Sequence, residues 1–443
     1  MIAAFTCLFL LGTVFAINLI HTVNIDNEYD LKRFIVVGFI SFFSLFLLTI
    51  KEVQLIKIST LSKTILCGFI CLAVYSALVS KHPYWGMVEI ANISLFIVGF
   101  YLFSACIRTI EQHKLLCGVY TFSLLFSILT FCKYILFLFF SYFDAQSFNI
   151  HGLLSGYVNV RFFNQLQVML VPLLFLPLVL PALAKFKRIS LAFIALHWLA
   201  LLQTEARGAA LSLIIALVII AIFLPREMRN RLGITSLKAM LFGIVLWFVL
   251  IYLIPYCLMD AVSFQIRTSS SGRIDLWLYV LQAIPEQPWT GFGPMSFAWA
   301  EGKPIINAHP HNSVMQLLYE YGVIACVAIV VWAMSGVYRH LSSLKVAAST
   351  QSMPVTYAVL SALIYSLFSG VIVMPMAQLL LIFLLAVQVQ FCGCNFYKLE
   401  IRVRVLLIAA VTVSLSMLLL TYQSEELLPA LLPRVWVNGL IGY

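Results

Sequence analysis

In NAHPHNSVMQLLYEYG, residues 307–322, a polar segment with two histidines gives way to a long apolar run. Pro310 fixes its own φ angle and disfavours the helical conformation at His309. Asn312 is a good N-cap for a helix that begins at Ser313. The stretch therefore predicts that His311 lies at the mouth of a membrane helix, where water meets lipid.

The composition excludes an ordinary soluble domain. The mean hydropathy is +1.04, and 63% of the residues are hydrophobic while only 10% are charged. Soluble domains carry about 25% charged residues. Many runs here approach the ~20 apolar residues that a helix needs to cross a bilayer. The sequence predicts an all-α polytopic integral membrane protein.

Thirteen apolar runs are predicted as helices, and two of their pairs, around 188–224 and 355–392, are short enough that twelve crossings fit equally well. The predicted helices are 2–20, 34–50, 61–80, 86–107, 115–140, 162–183, 188–204, 208–224, 238–257, 313–337, 355–373, 375–392 and 403–421. We divide the predicted single membrane domain into helices of the membrane body (1–258), a large loop (259–312) and closing helices (313–443).

The distribution of basic residues sets the orientation, because cytoplasmic connections are enriched in Lys and Arg. With a cytoplasmic N-terminus, the basic clusters fall on the inside, for example the cluster from Arg226 to Lys238. The net charge of +10 is explained largely by this bias, so no nucleic-acid partner is expected. The large loop then lies outside the cytoplasm.

The large loop is expected to contain a short helix on the membrane surface. SSSG at 269–272 offers helix caps, and Pro285 ends the helix that follows over 273–284. Four apolar residues of this helix fall on one stripe, as in interfacial helices: Ile274, Trp277, Leu281 and Ile284. GFGP at 291–294 is predicted as a turn, because no strand precedes it and no third glycine completes a dinucleotide-binding motif.

Three arginines on the outer side stand in otherwise apolar sequence: Arg161, Arg207 and Arg273. Each has a plain structural explanation, since it can extend to the interface or pair with a local acid such as Glu205 or Asp275. Arginine also binds phosphate well through a permanent charge and a planar fork of donors. Several arginines on one side favour a seat for a lipid diphosphate.

The two histidines allow three interpretations. His309 and His311 provide at most two metal ligands without a carboxylate or cysteine cluster beside them, which argues against a metal site. They can brace the loop, or His311 can accept a proton from an attacking hydroxyl. Glu320, nine residues beyond His311, is predicted on the opposite face of a continuous helix as a structural residue, and Gly322 is predicted to permit close helix packing.

These residues resemble the signature of bacterial O-antigen ligases. His311-Asn312 is followed after nine residues by Gly322, and Arg207 with Leu211 matches the family's arginine-x-x-x-leucine element. The stretch from Gly272 and Arg273 to His311 is similar to the core of the wider superfamily, which includes O-antigen polymerases and protein O-oligosaccharyltransferases. The resemblance covers about residues 160–330. Ala325 stands where the ligase pattern more often has Gly, Thr or Tyr.

The resemblance implies a glycosyltransferase of the bacterial inner membrane that works without metal, ATP or another cofactor. It would move a polysaccharide from undecaprenyl diphosphate to a sugar hydroxyl of the lipid A core on the periplasmic side. By this analogy His311 activates the acceptor, while Arg207 and Arg273 hold the diphosphate; we add Arg161 by position, and His309 and Asn312 as further donor contacts. The alternatives are a polymerase or a protein O-oligosaccharyltransferase of the same superfamily and, from another class, a lipid-linked glycan transporter.

Overall fold

The structure is a computed structural model. It describes residues 1–16, 28–50, 52–145, 150, 157, 159–259, 272–422 and 434–437. The helices are α1 (Ile2–Thr13), α2 (Glu28–Thr49), α3 (Thr60–Val79), α4 (Pro83–Arg108), α5 (Gln112–Phe143), α6 (Val160–Leu173), α7 (Leu176–Val179), α8 (Lys187–Gln203), α9 (Arg207–Phe223), α10 (Arg226–Trp247), α11 (Ile254–Met259), α12 (Arg273–Ala283), α13 (Ser313–Ser343), α14 (Met353–Tyr365), α15 (Pro375–Val389) and α16 (Ile401–Leu420).

The predicted all-α polytopic membrane fold is confirmed. In the part of the chain that the structure describes, nine helical segments are long and apolar enough to cross a membrane. Three shorter apolar helices, α1, α9 and α15, join them. A π-helical segment, Phe248–Leu253, links α10 to α11.

Every run predicted as a helix overlaps a helix of the structure, but several bounds differ. α14 ends at Tyr365, well before the predicted end at 373, because the chain turns through Ser366 to Gly370 before Pro375 starts α15. α13 continues to Ser343 instead of ending at 337. The end of the predicted first helix, from 17 to 20, lies outside the described residues.

Two short strands form the sheet of the described chain. β1 (Gln54–Ile56) and β2 (Phe396–Lys398) pair antiparallel, with Leu55 opposite Tyr397. This ribbon joins the connection after α2 to the connection before α16. Strands of three residues carry too little alternation to be recognised from sequence, so this ribbon was not predicted.

The chain forms two compact units. The first unit contains the described residues within Met1–Leu19, Glu111–Thr268 and His340–Tyr365. In it, Phe9 of α1 packs edge-on against Phe122 of α5, with ring centroids 5.1 Å apart. α10 packs closely on α8, since a Cβ atom at Gly243 would lie 2.7 Å from the Ala195 carbonyl oxygen.

The second unit contains the described residues within Ile20–Ile110, Ser269–Arg339 and Ser366–Tyr443. Its core includes buried residues of α2, α4 and α15. Phe103 of α4 packs edge-on against Phe383 of α15 at 6.0 Å. This unit holds α12, the loop that follows it and the His309–His311 stretch.

Candidate functional site

The predicted helix in the large loop is confirmed as α12, and its two faces differ. Leu276 and Val280 are buried in a small apolar core with Phe297 and Tyr319. The other face exposes three apolar side chains to about half of their area: Ile274, Leu278 and Leu281. This exposed face is compatible with the predicted contact to a membrane surface, which stays a prediction.

The N-cap of α12 lies within the segment that was predicted to cap it. Gly272, the last residue of the SSSG segment, is the N-cap residue, with a left-handed backbone and no side-chain cap. The segment 269–271 itself lies outside the described residues. Arg273 is the first residue of α12 and is partly exposed.

The break in α13 at Gly322 contradicts the prediction of a continuous helix. Gly322 has φ +77° and ψ 178°, and a Cβ atom there would lie 2.4 Å from the Trp289 carbonyl oxygen. Gly322 therefore permits close packing against the backbone of a loop and not, as predicted, against another helix. Glu320 lies before this break, but His311 lies outside the helix on a left-handed backbone, so helical periodicity does not place Glu320 on the face opposite His311.

The loop after α12 uses the backbone groups that this break makes available. Phe292 N–H donates to the Tyr319 carbonyl at 2.9 Å, and Gly293 N–H donates to the Glu320 carbonyl at 3.1 Å. Val323 N–H donates to the Pro288 carbonyl at 2.8 Å. Residues 288–293 are thus fixed to both sides of the break in α13, at Tyr319 and Glu320 before it and at Val323 after it.

The capping role predicted for Asn312 is confirmed. Its Oδ1 atom accepts hydrogen bonds from Val314 N–H at 2.9 Å and Met315 N–H at 3.1 Å, as an N-cap side chain does. His311, directly before the cap, has φ +55°. Left-handed backbone is uncommon for a residue with a side chain and concentrates at functional sites.

His309 is buried, with 5% of its area exposed. Its Nδ1 atom accepts a hydrogen bond from the His311 backbone N–H at 3.2 Å, so the ring is neutral with its proton on Nε2. Burial, followed by the charges of His311, Arg434 and Arg273, holds the pKa of His309 well below its usual range. His309 is therefore a fixed neutral ring and a poor proton acceptor.

Contacts from both sides hold residues 309–311, which we call the histidine loop. A Cβ atom at Gly370 would lie 2.6 Å from His309 Cε1, so the ring rests directly on the glycine. Trp277 of α12 donates its indole N–H to the Pro310 carbonyl at 3.0 Å. The His309 and His311 rings meet edge to face with centroids 4.4 Å apart. His311, in contrast to its neighbour, is partly exposed.

A buried ionic cluster lies next to the loop. Arg434 Nη2 is 2.7 Å from Glu320 Oε2 and 3.3 Å from Glu89 Oε1, and Arg434 Nη1 donates to the Ala308 carbonyl at 3.3 Å. Glu320 thus forms a buried ion pair with Arg434, in agreement with the structural role that the sequence suggested for it. The role of Arg434 was missed, because neither periodicity nor spacing connects residues so far apart along the chain.

Lys303 fixes the segment before the histidines. Its ammonium group donates to three backbone carbonyls, those of Phe297 at 2.8 Å, Ala298 at 2.9 Å and Asn307 at 2.8 Å. Burial lowers the pKa of Lys303 to about 8. The three charge-assisted bonds favour the ammonium form and tie residues 297–307 into one turn.

In the first unit, Arg161 and Arg207 both lie at helix N-termini. Arg161 is in the first turn of α6, where its backbone N–H donates to the Asn159 side chain at 2.9 Å; the sequence had placed it just outside the helix. Arg207 begins α9 and is exposed. Glu205, two residues earlier, has φ +50°.

A chain of buried polar side chains links α5, α6 and α8 of the first unit. Asn164 Nδ2 donates to Gln167 Oε1 at 2.7 Å and to Thr204 Oγ1 at 3.2 Å. The Gln167 amide is 3.1 Å from His197 Nδ1, and His197 Nε2 is 3.0 Å from Ser127 Oγ. This polar chain was not predicted, although amide and imidazole side chains inside apolar runs are a signal for it in the sequence.

Comparison with known protein families gives a match that includes α12 and the two histidines. Residues 191–330 match the family model described as O-antigen ligase. This segment is therefore similar to an O-antigen ligase domain. The match supports membership of the chain in the O-antigen ligase superfamily, whose members are glycosyltransferase-like enzymes. No curated protein matches the chain.

The matched segment contains five of the six residues that the sequence suggested for the site: Arg207, Arg273, His309, His311 and Asn312. Arg161 precedes it. In the second unit the structure brings together His309, His311 and Asn312, and the charge of Arg273 reaches His309. Among the described residues, no group of three or more His, Cys, Asp or Glu side chains could hold a metal ion.

Proposed function

We propose that this protein is an O-antigen ligase. It transfers a polysaccharide from undecaprenyl diphosphate to a sugar hydroxyl of the lipid A core, at the periplasmic face of the bacterial inner membrane. One observation carries the proposal: the matched O-antigen ligase domain includes a partly exposed His311 on a left-handed backbone, beside a second histidine that is buried and neutral.

The two histidines differ in burial, and we assign them different roles. The backbone N–H of His311 already occupies His309 Nδ1, and the low pKa of His309 disfavours protonation, so His309 shapes the loop. His311 is the candidate base, because its ring is partly exposed and imidazole titrates near neutral pH. A fixed loop favours catalysis, since a base must be held within hydrogen-bond reach of the acceptor hydroxyl.

The three arginines supply positive charge for the diphosphate of the donor. Arg273, at the N-terminus of α12, combines its guanidinium with the backbone amides of the first helical turn and the positive end of a helix dipole, a combination suited to phosphate. Arg207 and Arg161 stand at helix N-termini of the first unit. We assign all three to the diphosphate, with His309 and Asn312 as further contacts of the donor.

The proposed reaction is a direct displacement at the anomeric carbon. The acceptor oxygen forms a bond to this carbon while an unprotonated nitrogen of His311 takes the hydroxyl proton. The bond from the same carbon to the diphosphate oxygen breaks, and undecaprenyl diphosphate leaves with the electron pair. The arginines stabilise the developing negative charge. A single displacement inverts the anomeric configuration, so a product with retained configuration would contradict this step.

Related activities use the same donor chemistry. A polymerase would lengthen the glycan on its lipid, and a protein O-oligosaccharyltransferase would place the glycan on a protein hydroxyl. A transporter would move the lipid-linked glycan across the membrane without transfer. Transporters often show internal repeats and paired broken helices, and the sequence shows neither.

The decisive experiment is transfer in vitro with purified protein. An undecaprenyl diphosphate-linked glycan is offered with lipid A core, with a pilin-like protein, or alone, to the wild type and His311→Ala. Glycan on the lipid A core, with a rate at least about 100-fold lower in His311→Ala, supports the ligase. Glycan on protein, or longer glycan on the donor, would replace the ligase by a related activity. Absence of transfer to every acceptor would favour the transporter.

A further inference from the structure

The C-terminal segment 434–437 is docked in the interior of the second unit. Tyr29 of α2 donates its hydroxyl to the Arg434 carbonyl at 2.7 Å, and Arg33 Nη2 donates to the same oxygen at 2.9 Å. The Val437 backbone N–H donates to Asp30 Oδ1 at 2.7 Å. Charged and polar groups of α2 therefore fix the backbone of Arg434.

The Arg434 side chain is also completely enclosed. Its side chain has no exposed area, and the Glu320 and Glu89 carboxylates that contact it are buried as well. The Gln316 amide, with its oxygen turned toward the guanidinium, accepts from Nη1 at 3.0 Å and from Nη2 at 2.7 Å. Such a buried charge is stable only with its partners in place.

These contacts reach both flanks of the candidate base. Ala308, whose carbonyl accepts from Arg434 Nη1, lies three residues before His311. Gln316 and Glu320 lie on the half-helix that begins directly after Asn312. One guanidinium thus joins the segment that enters the His311 turn to the segment that leaves it. The left-handed backbone of His311 lies between the two attachment points.

We propose that Arg434 is a positioning residue for His311: its guanidinium, held by Glu320 and Glu89, clamps the two flanks of the His311 turn, which makes the C-terminal segment part of the transfer site. The inference rests on the proposed function, since it assigns Arg434 to the same base. Arg434 acts through the backbone and has no contact with the substrate. Its removal should therefore change the rate of the chemical step more than the binding of the donor.

The test compares two buried arginines of the second unit. Arg434→Gln removes the clamp. Arg404→Gln is the matched control, because Arg404 is also buried and its Nη1 donates to the backbone carbonyls of Leu48 at 2.5 Å and Ile50 at 2.6 Å, away from the histidine loop. We expect Arg434→Gln to lower kcat per folded molecule by about 10–100-fold with the donor KM within about twofold. Arg404→Gln should keep kcat per folded molecule. Equal effects of the two substitutions on kcat would overturn the proposal.

Arg434→Lys covers the case in which Arg434→Gln does not fold. Lysine keeps one charge for the carboxylates but lacks the fork that reaches both flanks. We expect a lower kcat together with faster hydrogen exchange in a peptide covering 308–315, both absent from Arg404→Lys. Wild-type kcat and exchange in Arg434→Lys would reject the clamp. Full activity of His311→Ala in the same assay would instead reject the proposed function, so the two failures are distinguishable.

Discussion

His309 Nδ1 accepts a hydrogen bond from the backbone N–H of His311 at 3.2 Å. This bond couples the tautomer of one histidine to the backbone conformation of the other. A proton on His309 Nδ1 would remove the acceptor and place a cation beside His311, Arg434 and Arg273, the three groups that already lower the pKa of His309. His309 therefore works as a neutral brace next to His311, the candidate base.

The first prediction concerns the pH dependence of stability. The pKa of His309 is held well below 6.5 in the folded protein and returns to about 6.5 on unfolding. Below pH 6.5 the unfolded chain binds the additional proton, so the free energy of unfolding decreases as the pH falls. For one buried group this amounts to about 2 kcal/mol between pH 6.5 and pH 5.

His309→Asn isolates this effect, because Asn can accept from the His311 N–H but does not titrate. We expect the wild type to lose more stability than His309→Asn between pH 7 and pH 5, measured by thermal unfolding in one detergent. The exposed His113 provides the control: His113→Asn should follow the wild type. Parallel pH profiles for the wild type and His309→Asn would contradict the assignment of His309 as a buried neutral ring.

The second prediction concerns the break in α13. Gly322→Ala introduces a side chain at φ +77° and a Cβ atom 2.4 Å from the Trp289 carbonyl oxygen. We expect a loss of about 1–3 kcal/mol in the free energy of unfolding and lower transfer activity, because the loop over 288–293 must move. Gly336 of the same helix has nothing within 4 Å of the added Cβ position. Gly336→Ala should therefore be neutral or stabilise by roughly 0.5–1 kcal/mol; equal effects of both substitutions would rule out the close contact.

The parts of the fold that the sequence predicts correctly depend on local interactions. α12 and the Asn312 cap follow from periodicity and from hydrogen bonds within three residues. The general membrane architecture follows from apolar run length. The break at Gly322 was not predicted, because apolar sequence continues on both sides and the reason for the break is the backbone of a distant loop.

The buried ionic cluster also depends on contacts between distant parts of the chain, which the sequence does not reveal. Glu89, Glu320 and Arg434 stand on three distant parts of the chain and meet only in the folded second unit. From sequence, each is one isolated charge in an apolar neighbourhood. The general rule that such a charge needs a partner is correct here, but it cannot name the partner.

The third prediction concerns the arginines assigned to the diphosphate. Arg207→Gln and Arg273→Gln each remove a permanent charge and a planar fork of donors, so we expect transfer to fall by about 100-fold. Arg207→Lys and Arg273→Lys keep the charge but lose the two-point contact, and should recover only part of the rate. Because these arginines would also contact the ground-state donor, its affinity should decrease, as measured by binding of undecaprenyl diphosphate. Arg339, exposed near the end of α13, is the control, and Arg339→Gln should bind the donor as the wild type does. Unchanged donor affinity and rate in Arg207→Gln and Arg273→Gln would remove both residues from the diphosphate site.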